Sequence, residues 1–172
     1  MNSIYFEIVV EDRLSENILR KAVQHCGSNV GNCYKKNGCA YIDGKIRAFN
    51  NASKYSPFIV IRDLDKYDCA PMLIKTLIAN KNNNLILRIA VRESETWLLA
   101  DKKNFSKYLG ISENSIPDDV ENIRNPKEYL IDIARKAKKS IREDIVPERG
   151  TIAKYGKNYN GCLEFSFTGI GT

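Results

Sequence analysis

Three acidic residues in this chain stand directly behind short apolar runs. Glu11 follows the segment 4–10, I-Y-F-E-I-V-V, and Asp63 and Asp65 follow the apolar run 58–61 within P-F-I-V-I-R-D-L-D-K-Y-D at 57–68. Two carboxylates one residue apart repel each other unless a cation or a proton offsets the charge. A hard divalent cation wants oxygen ligands, keeps several waters and needs only one or two carboxylates to sit beside substrate phosphates. The chemistry this spacing points to is phosphodiester hydrolysis with Mg2+ or Mn2+, in which the cation stabilises charge on the transferring phosphoryl group and activates water. Asp63 and Asp65 are the candidate metal pair, and Glu11 is a third ligand or a general base. Glu93 and Glu95 are possible additional acids, although two glutamates opening a helix also suit its dipole. Aspartates equally fill turns and cap helices, so Asp68 doubles as a cap for the helix that follows, and Glu11 as a solvated strand end.

These acids share a site only if the fold gathers them. The segments 4–10, 58–61 and 85–91 are rich in β-branched residues and read as strands, the latter two as continuously buried ones. Leu14, Ile18, Leu19, Ala22 and Val23 recur at helical spacing, with Ser15 as the expected N-cap and Gly27 as the stop. Residues 27–38 read as a loop, 39–42 as a short strand, and 43–52 as a weak helix. A helix over 70–80 follows, and Trp97 sits in another at 96–100, where it reads as core. Asn125-Pro126 predicts the start of a helix over 126–140. The basic cluster Lys136, Lys138, Lys139 and Arg142 would then lie at its carboxyl end. Residues 147–160 read as a loop, and Leu163, Phe165 and Phe167 alternate like an edge strand, with the chain ending in 169–172. The order is β-α repeated, an α/β fold with a mostly parallel sheet of about four strands flanked by helices. In such a sheet the residues behind every strand collect along one edge, where ligands bind. That edge would hold Glu11, Asp63, Asp65 and the segment 92–95.

The totals narrow the partners. The chain has 172 residues, 43% hydrophobic and 28% charged, as expected of a globular domain with a real core. With 27 basic against 21 acidic residues the net charge is +6, which suits an anionic partner as well as a solvated surface. Lys35, Lys36, Arg62, Arg92, Lys154 and Lys157 are the candidate nucleic-acid contacts. Five cysteines without C-x-x-C spacing and a single histidine, His25, argue against a zinc site. They read as reduced thiols of a cytoplasmic protein. No stretch approaches the ~20 apolar residues of a membrane span, and the first ten residues lack a basic leader.

The same residues carry a resemblance. I-V-V-E-D at 8–12 and V-I-R-D-L-D at 60–65 resemble the two motifs of the Toprim domain, a glutamate behind the first strand and a later D-x-D. R-E-S-E-T-W-L-L-A-D at 92–101, N-P-K-E-Y-L at 125–130 and G-K-N-Y-N-G at 156–161 are similar to small bacterial Toprim-like proteins encoded beside ABC/AAA-type ATPases and linked to phage defence. The resemblance implies a Toprim-like, Rossmann-like core over 1–110, with 111–172 as a helix-and-loop extension packed on the same domain. It implies a Mg2+- or Mn2+-dependent nuclease with Glu11 as acid/base or ligand and Asp63 and Asp65 as the metal pair. It also implies an antiviral effector docked on an ATPase, in a form shorter than its relatives. Asp12 and Tyr67 stand where the Toprim pattern commonly has glycine. The alternative expectations are a non-catalytic Toprim-like module that binds a partner ATPase, and a phosphate-handling hydrolase on another α/β fold.

Overall fold

The computed structural model describes residues 4–36 and 38–166. Contacts divide the chain into two compact units, Met1–Val91 and Arg92–Thr172; the core expected from the resemblance spans 1–110.

The first unit alternates strand and helix: β1 (Tyr5–Val10), α1 (Arg13–His25), β2 (Asn29–Lys35), α2 (Cys39–Ala52), β3 (Phe58–Asp63), α3 (Ala70–Leu77) and β4 (Leu85–Ala90). The four strands form one parallel sheet in the order β2-β1-β3-β4. The α/β architecture with helices flanking a parallel sheet is thus Rossmann-like. Apolar residues of alternate parity build its main core. Val9, Phe58, Val60, Leu85 and Leu87 from the strands meet Ile42, Ile46 and Phe49 of α2 and Leu73 and Leu77 of α3. Each such side chain fully withdrawn from water contributes about 1.5–3 kcal/mol.

Several expected elements change type. Residues 29–35 form β2, where a loop was expected. The sequence N-V-G-N-C-Y-K has little apolar alternation because this edge strand is held by backbone pairing to β1 more than by burial. Gly31 lies under the Glu7 side chain: an added Cβ would lie 2.7 Å from the mobile Glu7 Oε1, while Glu7 Oε2 accepts from the Asn32 N–H at 3.2 Å. Residues 39–42 are the first turn of α2 and not a strand. A four-residue apolar run does not reveal its period, but Ile42, Ile46 and Phe49 continue it on one helical face. The N-cap of α1 is Asp12, whose side chain accepts from the Ser15 N–H at 2.8 Å; Ser15 is the capped residue and not the cap.

The second unit is helical: α4 (Glu95–Ala100), α5 (Lys102–Leu109), two single 3-10 turns at Glu113–Ser115 and Val120–Asn122, α6 (Pro126–Ala134), α7 (Lys139–Ile145) and α8 (Tyr159–Ser166). The expected helix over 126–140 begins at Pro126 as read but breaks after Ala134. Lys136 and Lys138 therefore fall in the break and Lys139 opens α7, so the basic cluster does not cap one helix. The expected edge strand is α8: Tyr159, Cys162, Leu163 and Ser166 are buried at helical spacing. Phe167 and residues 169–172 lie outside the described residues. No described helix is long and apolar enough to cross a membrane, and all five cysteines are free thiols.

Candidate metal centre at the sheet edge

The strand order creates the site. From β1 the chain moves outward to β2, then returns past β1 to β3 and goes on to β4. The connections leaving β1 and β3 thus run to opposite sides. A crevice opens between the carboxyl ends of these two strands, the usual ligand position in an open parallel sheet. Glu11 directly follows β1, Asp63 ends β3, and Asp65 lies two residues beyond it.

Parity then decides which side chains meet. Arg62 follows Phe58 and Val60 on the face covered by α2, and it is buried to 1% exposure. A guanidinium in an apolar face must be matched by charge. Asp43 of α2 does this through two bonds, Nε to Oδ1 at 3.2 Å and Nη2 to Oδ2 at 3.0 Å. Asp65 accepts from Nη1 at 2.7 Å, and the same amine reaches the Asp63 carbonyl. Burial opposes the charge on Arg62, but the Asp43 bond and the two carboxylates outweigh it and raise its pKa.

Asp65 reaches this position through an unusual backbone. Its φ is +50° in a turn closed by the Tyr67 N–H on the Leu64 carbonyl at 3.1 Å. Aspartate is among the few side chains that enter the left-handed region readily. Tyr67, where the Toprim pattern has glycine, lays its ring 5.3 Å from the Arg62 guanidinium carbon. Asp12, at the other glycine position, is the α1 cap already described.

Glu11 Oε1 accepts from the Asp63 N–H at 3.0 Å, which joins the ends of β1 and β3. Its pKa is raised, first by burial and further by Asp65 and Asp12, against the Asp63 bond and Arg62. A third group, Cys39 at the first position of α2, completes the cluster. One ligand atom each from Glu11, Cys39 and Asp65 lies within 4.8 Å of the others. The Cys39 thiol is raised by burial, and the two carboxylates and a bond to Asp65 add to this against Arg62.

The donor set fits a cation. Glu11 and Asp65 each have one oxygen beyond those bonded to Asp63 and Arg62, as a hard divalent ion requires. Cys39 adds a softer donor. The three carboxylates Glu11, Asp43 and Asp65 face one guanidinium, a formal surplus of two negative charges. Sequence reasoning missed Cys39, and its expected strand was the reason: at the start of a helix, residue 39 comes to the same crevice.

Of the expected residues, Glu11 and Asp65 come together; Asp63 enters through its backbone and is not part of this three-residue group. Glu93 and Glu95 belong to the second unit. Glu93 Oε2 accepts from the Lys127 N–H at 2.9 Å, and Glu95, at 2% exposure, takes the Tyr159 hydroxyl at 2.9 Å and the Lys127 ammonium at 3.2 Å. Burial raises the Glu95 pKa against the pull of Lys127. Among the basic candidates, Lys35 pairs with Glu16 at 2.6 Å, Lys36 lies over the Tyr41 ring and Lys157 pairs with Glu148 at 2.6 Å. Arg62 is internal. Lys154 is exposed, and so is Arg92, at φ +71°, at the start of the second unit. Compared with family models, curated proteins and solved structures, the chain has no match.

Proposed function

We propose that this chain is a divalent-cation-dependent phosphodiester hydrolase of Toprim type, acting on DNA or RNA with Mg2+ or Mn2+. The observation that carries the reading is the convergence of Glu11 and Asp65, with Cys39, in the crevice behind β1 and β3. When bound, the cation would stabilise charge on the phosphoryl group and activate water. Glu11 and Asp65 would hold it, with Cys39 beside them. Arg62 fixes Asp65 and tempers the local negative charge, and the Asp63 N–H orients Glu11. Burial raises the Glu11 pKa, the direction that favours a role in proton transfer. The role as effector of an ABC/AAA-type ATPase in phage defence is what the resemblance of residues 92–101 and 125–130 supports.

A second reading is a binding module without catalysis that docks on such an ATPase. The Arg62 bond to Asp65 favours it, because a guanidinium already occupies one carboxylate oxygen. Incubation of the parent, Glu11→Gln and Asp65→Asn with labelled DNA and tRNA, with and without Mg2+ or Mn2+, separates the two. Mn2+ binding is followed in parallel by electron paramagnetic resonance. Metal-dependent cleavage by the parent and its loss in both variants is the expected result. Absence of cleavage and of Mn2+ binding, or equal cleavage by all three proteins, would overturn the hydrolase.

A further inference from the structure

We propose that the second unit carries a binding site for a phosphate ester, in the recess between α7 and the loop that follows it. Pro147 stops the chain from continuing as helix two residues after α7 ends. The loop then turns back and is pinned where it returns: the Gly156 N–H donates to the Ile145 carbonyl at 2.8 Å and the Asn158 N–H to the Asp144 carbonyl at 3.2 Å. Only glycine permits this approach, since a Cβ at residue 156 would lie 2.2 Å from the Asp144 carbonyl oxygen. The pinned loop walls a cavity of about 780 Å³ into which Arg135, Arg142 and Arg149 project with Lys157.

The pairing of charges around this cavity is uneven. Three acids also line it: Glu148 pairs with Lys157 inside the cavity at 2.6 Å, Glu143 lies 3.9 Å from Lys139 outside it, and Asp144 accepts from the Asn158 amide at 3.4 Å, so the three arginines carry the positive charge left over. The side chains of Arg142 and Arg149 make no ion pair or hydrogen bond among the described residues. Arg135 uses its Nε on Asp132 at 3.2 Å and keeps its two terminal amines. Planar guanidinium forks match phosphate oxygens in geometry and charge.

The recess continues into a smaller one of about 300 Å³, which shares Glu143, Val146, Glu148 and Lys157 with it and is walled by Thr151 and Tyr155. The Tyr155 ring is 46% exposed and is backed by Tyr159 at 5.2 Å. Arginines at one end and a supported, half-open aromatic ring at the other are what a phosphate carrying a stackable base requires. A free nucleotide and a single strand of nucleic acid share this chemistry. The site lies wholly within the second unit and does not rest on the hydrolysis proposed above.

The test uses the full chain and a fluorescein-labelled oligothymidylate, followed by anisotropy at low and moderate salt, with ATP and inorganic pyrophosphate as competitors. The parent is compared with Arg142→Gln/Arg149→Gln. A control, Lys45→Gln/Arg47→Gln, removes the same charge from an exposed stretch of α2. Salt-sensitive binding that falls about tenfold or more in the arginine variant and stays at the parental level in the control supports the site. Displacement by ATP assigns it to a nucleotide, and resistance to ATP assigns it to a strand. Failure of the parent to bind the oligonucleotide by anisotropy, and ATP and pyrophosphate by titration calorimetry, would overturn the proposal, and so would equal losses in variant and control. The arginines are exposed and unpaired, so the variant should melt with the parent, which separates lost binding from lost folding.

Discussion

Arg62 is the residue on which the first unit's site leans most, and replacing it with methionine isolates its charge. Methionine keeps an apolar stem of similar reach while removing the bonds to Asp43 and Asp65. Breaking a buried ion pair from one side costs about 3–5 kcal/mol, because the partner is left uncompensated. Here the carboxylates retain 28% and 43% exposure, so water takes over part of the guanidinium's work. A loss of about 2–3 kcal/mol is the expected outcome. For a unit of this size that corresponds to a fall of roughly 8–24 °C in the first unit's melting midpoint. Circular dichroism or calorimetry at pH 7 measures it. Added Mn2+ should restore more stability to the variant than to the parent, since a cation would replace the missing one. Arg62→Lys should recover the charge but not the fork geometry, and so only part of the loss. A deficit under ~1 kcal/mol would contradict the view that Arg62 is the internal counter-ion of this crevice.

Three further outcomes follow from the geometry. Glu11→Gln should stabilise the metal-free protein at pH 7. Glu11's pKa is raised in the fold, so the protonated form is favoured: its stabilising contribution is complete below the unfolded value of 4.5 and is lost as pH rises through the folded one. Glutamine keeps the acceptor for the Asp63 N–H, and the advantage over the parent should vanish in acid; a variant less stable at pH 7 would count against this. Asp12→Ala removes the α1 cap and should cost about 1 kcal/mol in denaturant unfolding, with no change expected if the cap is dispensable. Gly156→Ala should force the loop off α7 at a cost of about 1–3 kcal/mol. Amide exchange at residues 156 and 158 should accelerate, and unchanged protection would show the contact to be yielding.

What could be read in advance depended on how each element is stabilised. β1, β3 and β4 announced themselves because burial wrote apolar runs into them, and their parallel order followed from the alternation with helices. β2 was hidden because backbone pairing, which leaves no mark on side-chain pattern, holds it. Cys39 was hidden with it, for its place in the crevice depends on where α2 starts. Glu11 and Asp65 were legible as acids behind strands. That Asp63 contributes its N–H follows from the alternation of a strand, which sends Arg62 to the α2 face. The break after Ala134 had no signal such as glycine or proline, and α8 was misread because Leu163, Phe165 and Phe167 fit a two-residue period as well as part of a helical one.

The left-handed backbone at Asp65 changes how any mutational scan of this crevice should be designed. An alanine there would carry a conformational penalty of roughly 1–2 kcal/mol that has nothing to do with the lost carboxylate. A scan by alanine would therefore overstate the electrostatic role of residue 65 relative to residue 11, whose backbone shows no such constraint. Asparagine and glycine are the informative replacements, since both tolerate the turn. The difference between aspartate and asparagine reports the charge, and the difference between glycine and alanine reports chiefly the left-handed backbone behind β3.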